Sequence, residues 1–436
     1  MSPISGPLEA LPPELRRHLL TMMEFNVLKA LVHASPVYHE QYLLDRQWLL
    51  GQCVEKLLGC VNIEASLVCQ SSTASFAQTR TRESITLVLE SYKHLQGLAN
   101  FSFIEESLPL DDIIWILLFH TSIVVPLANR YSAWALDNLA KKDEVNEANS
   151  SLVDASDSLS QSEETRIIRA LYRLQLWCNL FGIGPHKEID KPFYSGYSSI
   201  DLLTIHASHF EPWEIEEMHC VYLYSETIYR QIFDQIHWDV NERNPKFDAI
   251  RKDDDPEGSF DLDSNANTVA EDGFLNGMVT QGLELLHTIT CRVTDHSELV
   301  LIMQDKLCLH TGLLAGDDLK GMGAEEERRR CAPSDQDLKE KEREPLPFQG
   351  DRIDGVYPPL AWTLLWGGTY SSITGDSLWD FMGGNGLRTW GYVMWDKERL
   401  EYMGAIEVLA KQIKEDSWLE DGDPRTSMGY GVEFGI

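Results

Sequence analysis

LEALPPELRRHLLTMMEFNVLKALVHASPVYHEQYLLDRQWLL occupies residues 8–50, and it reads as three short helices separated by breakers. Leu11-Pro12-Pro13-Glu14-Leu15 opens the first. Proline is tolerated in a first helical turn because that N–H would lack an intrahelical partner anyway. Glu14 sits near the positive end of the helix dipole. Leu15, Leu19, Leu20 and Met23 recur at spacings that place them on one face. Phe25-Asn26 interrupts the pattern, and Leu28, Leu31 and Val32 form a second apolar face. Ser35-Pro36 starts a third helix whose large residues are Tyr38, Tyr42 and Leu43. A unit of about forty residues cannot hold itself together, so its apolar faces must meet either the rest of the chain or a partner.

Helical spacing continues beyond this unit. It predicts helices over about 81–97, 110–140 with a kink near Pro126, 163–182, 211–238, 272–291, 295–309 and 397–415, as in IIRALYRLQLWCNLF. Alternation of strand type is scarce. The fold class expected is therefore all-α: a three-helix unit at 8–50 on a large helical body at 51–436. Loops are expected near 141–165, rich in Ser, Asn and acidic residues, near 251–273, more acidic still, and near 320–351, where both charge signs mix with Pro and Gly. Residues 357–396 hold Trp362, Trp366, Trp379, Trp390 and Trp395, five of the twelve tryptophans, among glycines. This segment is expected to be irregular and sealed onto the helices by its aromatic side chains.

Composition narrows the function. The chain has 436 residues, 43% of them hydrophobic, enough for a large core. Its 37 Lys and Arg against 69 Asp and Glu give a net charge of −32. Such a surface repels phosphate backbones and anionic lipid, so neither nucleic acid nor membrane is an expected partner. MSPISGPLEA lacks a basic stretch followed by an apolar run and does not read as a secretory signal. The eight cysteines form no Cys-x-x-Cys pair and read as reduced core thiols of an intracellular protein, cytoplasmic or nuclear. The uncharged run at 113–129, IIWILLFHTSIVVPLAN, is short for a membrane span and contains His120 and Pro126; it reads as a buried helix.

Catalytic signatures are absent: no His-Glu-x-x-His, no phosphate loop, no Gly-x-Ser-x-Gly and no dinucleotide fingerprint. GGNG at 383–386 reads as a turn. His206 and His209 could share a helix face, but no third ligand is placed by spacing, and ordinary polar positions are the better reading. DLDSNANTVAED puts Asp261, Asp263, Asn265 and Asn267 where a calcium loop has oxygen ligands. Ala266 replaces the required glycine and Asp272 the bidentate glutamate, so this match reads as chance in an acidic stretch. No cofactor, metal or enzymatic activity is expected.

The opening unit resembles the F-box motif. Leu11, Pro12, Glu14, Leu15 and Leu19 match that family's opening block, and Leu28 and Leu31 its second helix. Ala34-Ser35 fall where the family usually has Val-Cys or Val-Ser, while Tyr38 stands near the family's third-helix tryptophan. More broadly, LKALVHASPVYHEQYLLDRQ at 28–47 and RTWGYVMWDKERL at 388–400 are similar to segments of filamentous-fungal, mostly helical F-box-like proteins. The resemblance implies adaptor binding through Leu11, Pro12, Leu15, Leu19, Leu28 and Leu31. The partner it implies is the Skp-type adaptor of a ubiquitin ligase, with the body presenting a surface to a target protein. The competing expectation is a helical interaction or scaffold protein with no ligase link, in which residues 11–46 are simply the first helices of one domain.

Overall fold

The structure is a computed structural model that describes residues 7–96, 108–142, 158–183, 210–240, 268–307, 347–353, 357–366 and 386–415. The described residues are helical, with no strand among them.

The first three helices are α1 (Pro13–Met22), α2 (Phe25–Ala34) and α3 (Pro36–Leu58). Both α1 and α2 pack on α3. Ser35 caps α3: its hydroxyl accepts from the Tyr38 N–H at 3.4 Å and donates to Glu9 Oε1 at 2.5 Å. The Tyr38 hydroxyl donates to the Leu8 carbonyl at 2.9 Å, so the segment ahead of α1 is tied to the start of α3. Lys56 donates to the Thr21 carbonyl at the end of α1, where a cation also suits the helix dipole.

These helices enclose a small core of their own. Leu20, Leu28, Val32, Tyr38, Leu49 and Cys53 are buried in it, with Leu19, Met23, Leu31, Tyr42 and Trp48 packed around them. The third helix does not end near residue 50 as expected; it runs eight residues further, to Leu58. Its second half belongs to the body, because Leu50, Val54 and Leu58 lie in the main core.

The body begins with a short 3-10 turn (Gly59–Val61), α4 (Asn62–Ser71), α5 (Ala74–Gln78) and α6 (Arg82–Gln96). The first of these helices, α4, escaped the periodicity reading. Every residue from Glu64 to Cys69 is buried, so α4 has no polar face to alternate with an apolar one. Next come α7 (Leu110–Phe119) and α8 (Val125–Lys142), joined by a π-helical turn at His120–Val124. Here the Val125 N–H reaches back five residues to the His120 carbonyl. Pro126 follows at once. Its ring cannot pack against an α-helical carbonyl four residues earlier, and the wider turn relieves that conflict. Leu110–Lys141 is the one stretch among the described residues long and apolar enough to cross a membrane. In this fold its Ile113, Ile116, Val124, Leu127, Tyr131 and Leu139 lie in the main core.

The central helix is α9 (Gln161–Leu180), in which every side chain from Arg166 to Leu180 is buried. It starts with a capping box: the Ser160 hydroxyl accepts from the Glu163 N–H, and Glu163 accepts from the Ser160 N–H. Around it pack α4, α8 and α10 (Pro212–Val240), and α10 in turn packs on α11 (Thr268–Val279). The single helix expected at 272–291 is divided. Gly282 adopts a φ of 98° and separates α11 from α12 (Leu283–His287), which runs into a second π turn at Thr288–Arg292. Then follow α13 (His296–Lys306), capped by Asp295, and α14 (Leu360–Trp366).

The expected final helix is likewise two, α15 (Lys397–Tyr402) and α16 (Ala405–Glu415), broken at Gly404 with φ 63°. The expected acidic loops lie mostly outside the described residues. Their described ends are ordered: residues 268–273 begin α11, and Asp351 enters an ion pair described below.

Candidate functional site

Two features stand apart from ordinary helical packing. The first is the surface of the α1–α3 head. Leu15 is 52% exposed, Met22 69% and Val27 50%. Leu15, Leu19 and Met22 share a face of α1 at intervals of four and three; Val27 and Leu31 are one turn apart on α2. Of the six residues implied by the F-box resemblance, Pro12 and Leu15 are exposed, while Leu11, Leu19 and Leu31 are half-buried. Leu28 is not on the surface: at 2% exposure it is an anchor of the head's own core, because α2 turns that face toward α3.

Fourteen large apolar side chains are exposed among the described residues. Seven of them, Leu8, Leu15, Met22, Val27, Leu43, Leu44 and Leu57, belong to residues 8–58. The same span is nearly neutral. Arg16, Arg17, Lys29, Arg46 and Lys56 face Glu9, Glu14, Glu24, Glu40, Asp45 and Glu55, a balance of −1 in a chain of −32.

The second feature is a charge network inside the body. Arg166, Arg169 and Arg173 lie along α9 at intervals of three and four, each at most 5% exposed. Arg173 Nη2 is 2.8 Å from Glu214 Oε1 and 3.2 Å from Glu64 Oε1, and its guanidinium lies 4.9 Å from the Phe210 ring centroid. Glu217 Oε2 is 3.6 Å from Arg169 Nη2 and 3.9 Å from Arg173 Nη1. The Tyr92 hydroxyl donates to Glu64 at 2.9 Å. Thus α4, α6, α9 and α10 all contribute to one buried cluster.

Its electrostatics divide two glutamates one turn apart. Burial raises the proton affinity of both. At Glu214 the adjacent Arg173 and Arg169 outweigh burial and hold the carboxyl below its ordinary range. At Glu217 burial prevails over the more distant arginines and the pKa is raised. Burial disfavours the charged form of Arg173, yet its carboxylate neighbours, Glu214 foremost, keep it firmly protonated.

The network extends to the C-terminal segment. Arg166 donates to Asp396 at 2.8 Å, to the Met394 carbonyl at 3.0 Å and to Asp351 at 2.9 Å. Asp396 also accepts from the Ser160 and Ser162 hydroxyls, each at 2.5 Å. Glu163 accepts from the Asp396 N–H and is clamped by Arg399 at 2.7 Å. Arg388 pairs with Glu216 through two contacts of 2.5 and 3.1 Å. Trp390 and Trp395 are fully buried, and their indole N–H groups donate to Gln412 Oε1 and to the Trp390 carbonyl. The described part of the tryptophan-rich segment is therefore fixed to α9 and α10 by charge as well as by apolar area. Trp379 and the side chain of Trp366 lie outside the described residues.

Sequence periodicity passes over this network, although a signal is present. Three arginines stand in α9 where the intervening residues are apolar on every side, leaving no face for solvent. Glu214, Glu216 and Glu217 likewise sit within the aromatic run WEIEEMHCVYLY. Charged residues in such surroundings are buried and paired.

Among the described residues, no three His, Cys, Asp or Glu side chains converge as metal ligands would. His206, His209 and residues 261–267 lie outside the described residues; Thr268–Asp272, the rest of the calcium-like stretch, is the start of α11. The six described cysteines are free thiols. No family model, curated protein or solved structure matches the chain.

Proposed function

We propose that the α1–α3 head is an F-box-like docking module and that the chain is a substrate receptor. In this reading the head engages a Skp-type adaptor of a ubiquitin ligase, and the helical body presents a target-binding surface. The protein carries no catalytic step of its own. The supporting observation is the concentration of exposed apolar side chains on residues 8–58, in a span that is nearly neutral within a strongly acidic chain. Exposed apolar side chains concentrated in one unit mark protein interaction sites.

The docking set differs from the one the resemblance implies. Leu15, Leu19, Met22, Val27 and Leu31 are available at the surface in whole or part, and Leu28 supports them from inside. The experiment is binding of the purified full chain to a fungal Skp-type adaptor, followed by calorimetry or size-exclusion chromatography. Leu15→Asp with Met22→Asp should weaken binding by about a hundredfold or more, since each loses about 1.4 kcal/mol or more of apolar contact. The melting temperature should stay within a degree or two of the parent. Failure of the unaltered protein to bind any such adaptor would remove the ligase link and leave a helical interaction or scaffold protein.

A further inference from the structure

The cluster around Arg173 contains polar atoms that face one another without direct hydrogen bonds. Glu217 Oε2 stands 3.6 Å from Arg169 Nη2 and 3.9 Å from Arg173 Nη1, beyond the range of a hydrogen bond. Glu217 Oε2, Arg169 Nε, and Arg173 Nε and Nη1 have no hydrogen-bond partner among the described residues. All three side chains are at least 95% buried. Charged groups so placed retain hydrogen bonds, because leaving them desolvated and unpaired is costly.

The chemistry of a group that would complete these atoms follows from them. It must accept from guanidinium N–H groups and donate to a carboxylate oxygen. Arg169 and Arg173 stand against Glu64, Glu214 and Glu217, two positive charges against three negative, so the cluster sums to −1. A bound anion would enlarge that imbalance, and a bound cation would lie against two arginines. The guest is therefore neutral, with both donors and acceptors. One oxygen suffices to join them: two atoms 3.9 Å apart can both lie about 2.8 Å from a single oxygen displaced from the line between them.

We infer that a single water molecule is a resident part of this cluster, bound between Glu217 Oε2 and Arg173 Nη1 and joining α9 to α10. It accepts from the guanidinium and donates to the carboxylate, as internal waters do when they complete buried polar groups.

A crystal structure of the full chain at a resolution that shows ordered solvent tests this directly. The expected result is a solvent peak within hydrogen-bonding distance of both atoms. A direct Glu217–arginine hydrogen bond with no peak would overturn the inference, and so would a peak that refines as a larger anion in crystals grown without sulfate or phosphate. Oxygen-17 relaxation dispersion supplies an independent count in solution. Glu217→Gln, which can still donate and accept, should keep the long-lived water, while Glu217→Met should lose one. Equal counts in the unaltered protein and Glu217→Met would also overturn it.

Discussion

Replacing Arg173 by Met tests whether the charge network holds the body together. The substitution preserves most of the aliphatic volume and removes the guanidinium. Glu214 loses its 2.8 Å partner, Glu64 its 3.2 Å partner, and Glu217 one of its two nearby arginines. Arg169 remains, 3.6 Å from Glu217 and within electrostatic reach of Glu214 and Glu64. Removing one member of a buried ion pair costs about 3–5 kcal/mol, chiefly because its partner stays desolvated and charged. Urea denaturation followed by far-UV circular dichroism should show a loss of that size. A pH series sharpens the test. Without Arg173 the Glu214 carboxyl becomes harder to ionise, because burial is the largest influence on it, so its folded pKa rises above the unfolded one as that of Glu217 already does. Stability lost at neutral pH should then return as pH falls toward the unfolded carboxyl value of about 4.3, narrowing the gap to the parent protein. Adding Glu64→Gln and Glu214→Gln to Arg173→Met should recover part of the loss at pH 7, since the orphaned charges are gone. A single mutant within about 1 kcal/mol of the parent at pH 7 would refute the reasoning.

Other outcomes follow from single sites. Leu28→Ala should cost about 2–5 kcal/mol by opening a cavity in the head's core, whereas Leu15→Ala at the exposed position should change the melting temperature little. His120 is buried beside the Tyr172 hydroxyl at 3.3 Å, and burial pushes its pKa down to about 4. A depressed folded pKa contributes stability above the unfolded value and loses it as pH falls through the folded one. His120→Phe should therefore resist acid better, by about 2 kcal/mol near pH 5, measured as the difference in denaturation midpoint between pH 7 and pH 5. Gly391 has a φ of 62°, and a Cβ there would collide with the Tyr131 hydroxyl. Gly391→Ala should lower the melting temperature through both strain and collision, with a cost of about 2 kcal/mol or more in chemical denaturation.

How much of this was legible beforehand depended on solvent. Helices with one wet face announced themselves: α1, α2, α6 and α13 fall where apolar spacing puts them. The all-α class followed from the same pattern. Two kinds of error have a physical source. Helices surrounded by protein, above all α4, lack the polar face that periodicity detects, and α9 looked like an ordinary amphipathic helix although its arginines point inward. Breaks set by backbone dihedrals, at Gly282 and Gly404, were also invisible, since a glycine's φ depends on the turn it serves. At the head, the F-box resemblance grouped Leu28 with Leu15, and spacing could not separate them, because it records which residues share a helix face. It does not record which neighbour that face meets, and α3 covers Leu28 while leaving Leu15 bare.

The 23 residues of α3 make a continuous rod about 35 Å long, whose first half belongs to the head and whose second half is set in the body. There is no hinge between them to take up slack. Inserting one residue near Leu49-Leu50 would turn the head about 100° around the rod and advance it about 1.5 Å. Whatever the head grips is thus held at a fixed bearing and range from the body, as a tool is held by its shaft. Cutting the chain at residue 50 would sever this shaft rather than free a module.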